Sequence, residues 1–393
     1  MRSVCLHFSV HQPFRFRNYR FFDIHAHHNY YDDYQNKYLT GRLAERCYLP
    51  MNRLIMELIK QYGKNLKISF SISGSSIELF KRYAPAVLED FQNLAATGNI
   101  EITGTTFNHS LSSIRDKDWF IKQVKAEQKI LKETFGVTPK SFYNTELIYS
   151  DEIGEWLSEL GFKTVLTEGA KPILGWKSAH FVYCNPYCTD LQILLRDYSL
   201  TDDLCFRFND RSWENYPLTA DKFAHWIDNG LEENQVCNLF MDYETFGEYN
   251  VVETGIFEFF SAFIHEIMAR KIAFKTPHEI YKSVQPVSTL HVPFLISGAG
   301  EEKDISSWLG NELQEEAFNK LSDLFPLVEK CKDPQVLTDY QNLQAADHFN
   351  FMATHWFPHQ AVRRNFEVYP SPYQAFINYM NILSDLKLRV KSQ

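Results

Sequence analysis

The sequence predicts an α/β fold, an incomplete TIM-type barrel of about seven β/α units followed by a C-terminal helical bundle. Short apolar segments alternate with longer segments in which apolar residues recur every three or four positions. Such alternation favours a parallel sheet covered by helices over separate sheet and helix domains. The alternation with predicted strands stops at about residue 300. We therefore predict a barrel over residues 1–295 and a helical region over residues 296–393.

The predicted strands are short and almost continuously apolar, as expected of strands that are buried on both faces. They are Val4–Val10, Leu66–Ser71, Ile100–Thr103, Ser141–Thr145, Thr164–Thr167, Gln192–Leu195 and Val236–Met241. The predicted helices are Ser76–Leu94, Asp118–Phe135, Asp151–Leu160, Thr254–Arg270, Asn311–Lys330, Pro334–Asp347 and Tyr373–Val390. An open doubly wound sheet is the alternative, but no G-x-G-x-x-G turn follows any predicted strand.

Composition limits the class of partner. The net charge of −9 argues against nucleic acid or an anionic membrane surface, since both attract a basic face. Hydrophobic residues make up 45% and charged residues 23% of the chain, which is typical of a globular protein. Aromatic residues reach 15%, and flat aromatic faces are common in sugar-binding clefts. A neutral polar substrate therefore fits this composition, although most of the phenylalanines are expected in the core.

The compartment and cofactor expectations follow from the termini and the cysteines. The first residues lack an apolar signal-peptide core, and no apolar run is long enough to span a membrane. Seven scattered cysteines, an odd number, are typical of a reducing compartment, so we predict a cytoplasmic protein. Cys184 and Cys188 have no second cysteine pair at zinc-finger spacing, and we predict no metal and no cofactor.

Polar residues follow directly on three predicted strands. His11 follows the first strand, Glu146 follows the fourth, and Asp242 and Glu244 follow the seventh. In a parallel barrel the carboxyl ends of the strands meet at one face, where active sites form. These side chains are therefore the first candidates for a functional site.

Two carboxylates from different strands could face each other across the barrel mouth. Glycoside hydrolysis needs this arrangement, because one carboxylate attacks the anomeric carbon while the other protonates the leaving oxygen. In Asp242-x-Glu244 each acid would tend to raise the pKa of the other. From the residues alone, helix caps, salt bridges or a divalent metal explain such acids equally well. His7 and His11 lie on one face of their strand and could be metal ligands or core histidines.

Five segments, in order along nearly the whole chain, resemble glycoside hydrolase family 57. They are His11-Gln12-Pro13; Gly98–Thr103 with His109-Ser110-Leu111; Tyr143–Leu147; Met241–Gly247, which reads MDYETFG; and Leu343–His348. A lone HQP tripeptide is unspecific, but MDYETFG is far more specific, and the five together are hard to obtain by coincidence.

The resemblance implies a seven-unit (β/α) barrel whose cleft is closed by a helical bundle. It places the nucleophile on Glu146 and the general acid/base on Asp242, and it implies an α-glucan substrate cleaved with retention. Retention requires the two carboxyl groups to lie about 5–5.5 Å apart. Asp347 falls at a position that contacts substrate. Candidate substrate-binding residues are His11, Glu101, His109, Tyr143, Glu244, Tyr249, Trp308, Asp347 and His348.

Two residues depart from what is common in the family. Tyr249 stands where amylase-like members often have His, and Tyr143 stands where the transferase branch often has Trp. Both changes keep a ring or a polar tip, so they bear on subsite preference rather than on catalysis.

Several activities share the implied first half-reaction. We rank α-amylase first, 4-α-glucanotransferase second and branching enzyme third, because this chain leaves little room for the extra loop of branching enzymes. A metal-dependent carbohydrate deacetylase is the alternative enzyme class, with His7, His11 and Asp242 as its ligands. An inactive glucan-binding protein is disfavoured because both carboxylates are present.

Overall fold

The computed structural model describes residues 2–354, 366 and 368–391, so part of the predicted helical region lies outside the described residues. Short strands with buried side chains form the centre of the molecule. They are β1 (Ser3–Val10), β2 (Ile68–Ile72), β3 (Ile100–Thr103), β4 (Ser141–Tyr143), β5 (Thr164–Glu168), β6 (Tyr183–Cys184), β7 (Gln192–Arg196), β8 (Val236–Asp242), β9 (Ala273–Phe274) and β10 (Ser288–Thr289).

Seven of these strands form the predicted barrel. One sheet pairs β3, β2, β1 and β8 in parallel, and the other pairs β4, β5 and β7 in parallel. Two seams join the sheets. Gly104, just after β3, exchanges backbone hydrogen bonds with Ser141 and Tyr143, and the Asp197 amide after β7 donates to the Asn238 carbonyl of β8 at 2.9 Å. The (β/α)7 prediction is confirmed, and at the seams the strand pairing is reduced to one or two backbone hydrogen bonds.

Helices surround the barrel and continue beyond it. Those of the barrel region are α1 (Asp33–Leu43), α2 (Leu49–Tyr62), α3 (Gly74–Tyr83), α4 (Pro85–Ala96), α5 (Lys117–Phe135), α6 (Asp151–Glu159), α7 (Lys171–Leu174), α8 (Tyr198–Phe206), α9 (Ala220–Gly230), α10 (Ile256–Ala269) and α11 (Pro277–Ser283). Those that follow are α12 (Ser306–Leu309), α13 (Glu312–Val328), α14 (Pro334–Asn342), α15 (Ala346–Asn350) and α16 (Pro372–Lys391).

Two predicted helices are broken in the structure. Ser76–Leu94 was expected as one helix, but Pro85 begins a new one, since proline disfavours helical geometry in the residue before it. Ala84 accordingly has an extended φ of −146°. Similarly, the predicted Pro334–Asp347 ends as α14, and α15 begins after Ala345, whose ψ is 132°. The two-residue strands β6, β9 and β10 are too short to produce a detectable sequence period.

The helical region shares a hydrophobic core with one side of the barrel. Phe142 and Val165 from the barrel strands belong to the same buried cluster as Trp308, Phe318 and Tyr379 from the later helices. The division at residues 295/296 stays a prediction, and this cluster extends across it. The helical region is therefore packed firmly enough to position residues at the barrel mouth.

Two of the compartment expectations can be compared with the structure. All seven cysteines are free thiols, and five of them are buried. Among the described residues no helix is both long and apolar enough to cross a bilayer. The cytoplasmic location stays a prediction.

A glycine in the MDYETFG segment allows the close approach of two parts of the barrel. Gly247 has a φ of +105°, and a Cβ there would lie 2.0 Å from the Arg46 carbonyl oxygen. We expect Gly247→Ala to lower the free energy of unfolding by at least about 2 kcal/mol, because both the backbone and the contact would be strained. Urea unfolding followed by circular dichroism measures this.

Gly41 provides the matched control. It lies within α1, and an added Cβ would contact nothing within 4 Å. Gly41→Ala should raise the free energy of unfolding by about 0.5–1 kcal/mol, since alanine favours the helix. Equal effects of the two substitutions would show that the Gly247 contact is unimportant.

Candidate active site

Glu146 lies just beyond β4 in an unusual backbone conformation. Glu146 and Leu147 have φ values of 52° and 59°, in the left-handed region that non-glycine residues seldom adopt. The turn is held by neighbouring groups. The Gly298 amide donates to the Glu146 carbonyl at 2.8 Å, and the Thr167 hydroxyl donates to the Leu147 carbonyl at 2.8 Å. Such strain is kept where the surroundings enforce it, often at functional sites.

Asp242 ends β8 on the other side of the barrel mouth. Three strand-to-strand steps separate β8 from β4 through β7 and β5, and four separate them through β1, β2 and β3. The Tyr249 hydroxyl donates to the Asp242 carboxylate at 3.0 Å. The barrel therefore brings two carboxylates from well-separated strands to the same face.

Both carboxylates line one cleft, which has two lobes. The larger lobe is lined by Tyr143, Glu146, Arg196, Asp202, Phe206, Asp242, Tyr249, Gly298, Ser307, Asn350 and six further residues. The smaller lobe is lined by Ser9, His11, Gln12, His109, Glu146, Asp242, Glu244, Tyr249, Asp347, Asn350, Phe351 and Phe366. Tyr143 lies near both acids. Burial, followed by the charges of Asp242 and Glu146, raises the pKa of its phenol.

A pair of histidines connects Glu146 to the helical region. The rings of His11 and His109 stack with centroids 4.4 Å apart. His109 Nε2 lies 3.2 Å from the Glu146 carboxylate, and His11 Nε2 lies 3.0 Å from Asp347. Burial, followed by the neighbouring His109, lowers the pKa of His11 to about 4. Near neutrality His11 is therefore uncharged, and its Nε2–H donates to the Asp347 carboxylate.

Glu244 lies behind Asp242 and is almost completely buried. It accepts hydrogen bonds from the Gln12 amide at 3.0 Å and the Tyr48 hydroxyl at 2.5 Å. Burial, followed by the nearby charge of Asp242, raises the pKa of Glu244 to about 8. Glu244 therefore holds a proton near neutrality, in a position to influence Asp242.

A buried ion-pair network in the larger lobe was missed in the sequence. Arg196, at the end of β7, contacts Glu168 at 3.0 Å and Asp202 at 2.5 Å, and its Nε donates to the Phe240 carbonyl. Arg196 and Glu168 are the polar residues that end two apolar strands. Both follow directly on predicted strands, Thr164–Thr167 and Gln192–Leu195, so the criterion that singled out Glu146 would also have found them.

Three predicted substrate-binding residues do not line the cleft. Glu101 is the second residue of β3, away from its carboxyl end, and accepts from the His278 amide at 2.9 Å. Trp308 is completely buried in the core, and His348 is buried with Nε2 3.1 Å from the Asn342 carbonyl. The other candidates, His11, His109, Tyr143, Glu244, Tyr249 and Asp347, all line it.

The proposed metal ligands of the deacetylase alternative are not brought together. His7 is completely buried inside the barrel, where its ring nitrogens lie 3.0 and 3.2 Å from the Ser69 and Ser71 hydroxyls. Burial lowers the pKa of His7 to about 3, so its ring is neutral. His7 is a satisfied core histidine, and His11 contacts Asp347 and Ser73 instead of Asp242.

Comparison with known proteins adds to this geometry. The family profile of glycosyl hydrolase family 57 matches residues 5–293. A Methanocaldococcus jannaschii protein named "Putative alpha-amylase" is 36% identical over 405 residues, which cover 99% of this chain and 85% of that protein.

Two solved structures share the fold at low sequence identity. The 4-alpha-glucanotransferase from Thermococcus litoralis superposes with a TM-score of 0.69 at 15% identity, over 89% of this chain and 56% of that one. The GH57-type branching enzyme from Pyrococcus horikoshii superposes with a TM-score of 0.68 at 13% identity, over 98% and 88%.

The hydrogen bond from Thr167 should matter for activity. Thr167→Val removes the donor to the Leu147 carbonyl, so the left-handed turn at Glu146 loses one of its supports. We expect kcat on an α-glucan to fall about tenfold with little change in KM, and the free energy of unfolding to fall by about 1–2 kcal/mol.

Thr164→Val is the matched control on the same strand. Thr164 is equally buried, but its hydroxyl has no hydrogen-bond partner among the described residues. Its replacement should leave kcat unchanged and should not destabilise the fold. A similar loss of kcat in both variants would mean that the turn does not depend on Thr167.

Glu244 should make stability depend on pH. Its pKa is raised in the folded state, so the stabilisation from its protonated form is complete below the unfolded value near 4.5 and is lost as the pH rises through about 8. Glu244→Gln should flatten this decline and make the variant more stable than the wild type at pH 8.5, by on the order of 1–3 kcal/mol. Urea unfolding at a series of pH values tests this, and parallel curves for the two proteins would contradict it.

Proposed function

Because the chain belongs to glycosyl hydrolase family 57, we propose that this glycoside hydrolase cleaves the α-1,4-glucosidic bonds of an α-glucan with retention, as an α-amylase. The observation that carries the proposal is that Glu146 and Asp242 come from strands on different sides of the barrel and line one cleft. Glycoside hydrolysis needs two carboxyl groups that reach the same bound sugar, and retention follows where they lie about 5–5.5 Å apart. Membership of this family argues against the alternative that the protein is a carbohydrate deacetylase.

In the first step the Glu146 carboxylate attacks the anomeric carbon of a bound glucosyl unit. Asp242 gives its proton to the glycosidic oxygen as that bond breaks, and a covalent glycosyl–enzyme ester forms. In the second step Asp242, now ionised, takes a proton from water, and the resulting hydroxide displaces Glu146 from the same carbon. Asp242 is protonated again, and the product keeps the α configuration.

The other cleft residues have binding and positioning roles. His109 contacts the Glu146 carboxylate and would keep it oriented toward the sugar. His11, Asp347 and Arg196 offer donors and acceptors to sugar hydroxyls, which require dense hydrogen bonding. Tyr143 and Tyr249 offer ring edges and faces at the larger lobe. Glu244 acts through Asp242 and is a positioning residue.

A glucan hydroxyl could replace water in the second step. That reaction is 4-α-glucanotransfer, which shares the same glycosyl–enzyme intermediate, and branching differs only in which hydroxyl accepts. The choice depends on how well the part of the cleft that receives the acceptor excludes water.

The two catalytic roles can be tested with maltoheptaose. We expect Glu146→Gln and Asp242→Asn each to lose at least about a thousandfold in kcat, since each removes a group from the reacting centre. Glu101→Gln is the matched control, because it makes the same change at a buried strand carboxylate outside the cleft. If all products are shorter than maltoheptaose, the reaction is hydrolysis. If products longer than maltoheptaose also form, the enzyme transfers glucan chains.

An α-glycosyl fluoride, used as the substrate, distinguishes the role of the nucleophile from that of the general acid. Fluoride departs without protonation, so Asp242→Asn should still form the glycosyl–enzyme and release a burst of fluoride, whereas Glu146→Gln should not. Unchanged turnover of maltoheptaose in both variants, or a burst from Glu146→Gln, would overturn the assignment.

A further inference from the structure

Two exposed tyrosines lie outside the cleft on one face of α1. Tyr34 and Tyr38 are 76% and 52% exposed, which is high for large aromatic side chains. They are four residues apart, so they lie on the same side of the helix. Their ring planes are parallel to within 4°, with centroids 6.4 Å apart. The helix therefore presents two rings with a common orientation to solvent.

These rings are connected to the cleft by a series of close contacts. The Arg42 guanidinium lies 5.9 Å from the centroid of Tyr38 and 5.8 Å from that of Phe366. Phe366 lines the smaller lobe of the cleft, and its ring centroid is 6.4 Å from that of Tyr249. Tyr249 in turn donates to Asp242. Planar groups thus follow one another from the general acid/base to the outer surface.

The series becomes more exposed as it leaves the cleft. Tyr249 and Phe366 are half-buried, and Tyr38 and Tyr34 are progressively more exposed. Arg42 is fixed by an ion pair with the buried Glu248 at 2.7 Å, so the cation between Tyr38 and Phe366 is held in place. A ligand that leaves the cleft along this side would meet a preformed surface, with little loss of side-chain freedom on binding.

On the basis of the proposed function, we propose that Tyr34 and Tyr38 form an outer binding site for an α-glucan chain that extends out of the cleft. The faces of sugar rings carry C–H groups, which pack on aromatic rings, and tyrosine hydroxyls can also hydrogen-bond to sugar hydroxyls. Arg42, the cation that contacts Tyr38, is already paired with Glu248, so a neutral chain needs to bring no charge to balance it. This enzyme would therefore favour long glucans over short maltooligosaccharides.

The test compares a long and a short substrate. For Tyr34→Ala/Tyr38→Ala we expect kcat/KM on amylose to fall about tenfold through KM, which corresponds to about 1.4 kcal/mol. With maltotriose, which is too short to occupy the cleft and the outer site together, we expect a change of less than twofold. Alanine favours helix at both positions, so α1 should remain intact.

Tyr187→Ala is the control, since Tyr187 is similarly exposed, at 65%, but lies in the loop before β7, at the opposite end of the barrel strands. It should behave like the wild type with both substrates. Equal losses on amylose and maltotriose in the double variant, or no loss on amylose, would overturn the outer site.

Binding can be measured independently of turnover. In native gels that contain amylose, protein with Glu146→Gln should be retarded, and the added Tyr34→Ala/Tyr38→Ala change should largely abolish the retardation. If the wild type converts neither substrate, the proposed function fails. The gel would still show whether Tyr34 and Tyr38 contribute to amylose binding. Undiminished retardation would mean that the exposed tyrosines serve something other than glucan, such as a protein partner.

Discussion

The cleft depends on the left-handed turn that follows β4. Two consecutive non-glycine residues, Glu146 and Leu147, adopt a conformation that costs about 1–3 kcal/mol each. The turn persists because Thr167 on β5 and Gly298 before α12 hydrogen-bond its carbonyls. A relaxed extended backbone would continue the strand and would direct the carboxylate elsewhere. The orientation of Glu146 is therefore set by the barrel and by the chain that follows it.

The helical region takes part in the site as well as in the core. Asp347 on α15 contacts His11, which follows β1. His11 stacks on His109, and His109 contacts Glu146. These contacts run across the cleft mouth from one region of the chain to the other. Since Asp347 carries the charge and His11 is neutral, the hydrogen bond between them fixes the His11 ring. Packing of the later helices thus bears directly on the environment of Glu146.

Sequence reasoning located the strands and both carboxylates, because buried parallel strands are nearly continuous apolar runs and charged residues after them are conspicuous. Sequence reasoning failed where the residue type does not show whether the side chain faces the cleft or the core. The resemblance suggests Glu101, but the second residue of a four-residue strand lies away from its carboxyl end, where the cleft forms. Trp308 could have been a sugar platform or core, and packing against later helices made it core. The stacking of His11 on His109 depends on tertiary geometry that no local pattern contains.

The two acids lie in different environments. Glu146 is contacted by His109, which can hold its carboxylate in place. Repulsion between Asp242 and Glu244 favours a single proton on the pair, and in the free enzyme Glu244 holds it near neutrality. The Tyr249 hydroxyl donates to the Asp242 carboxylate. An acid that must lose a proton in one step and accept one in the next needs both forms within reach near neutrality. Because Glu244 is buried and holds its proton up to about pH 8, ionisation of Asp242 does not place two charges side by side in the working range.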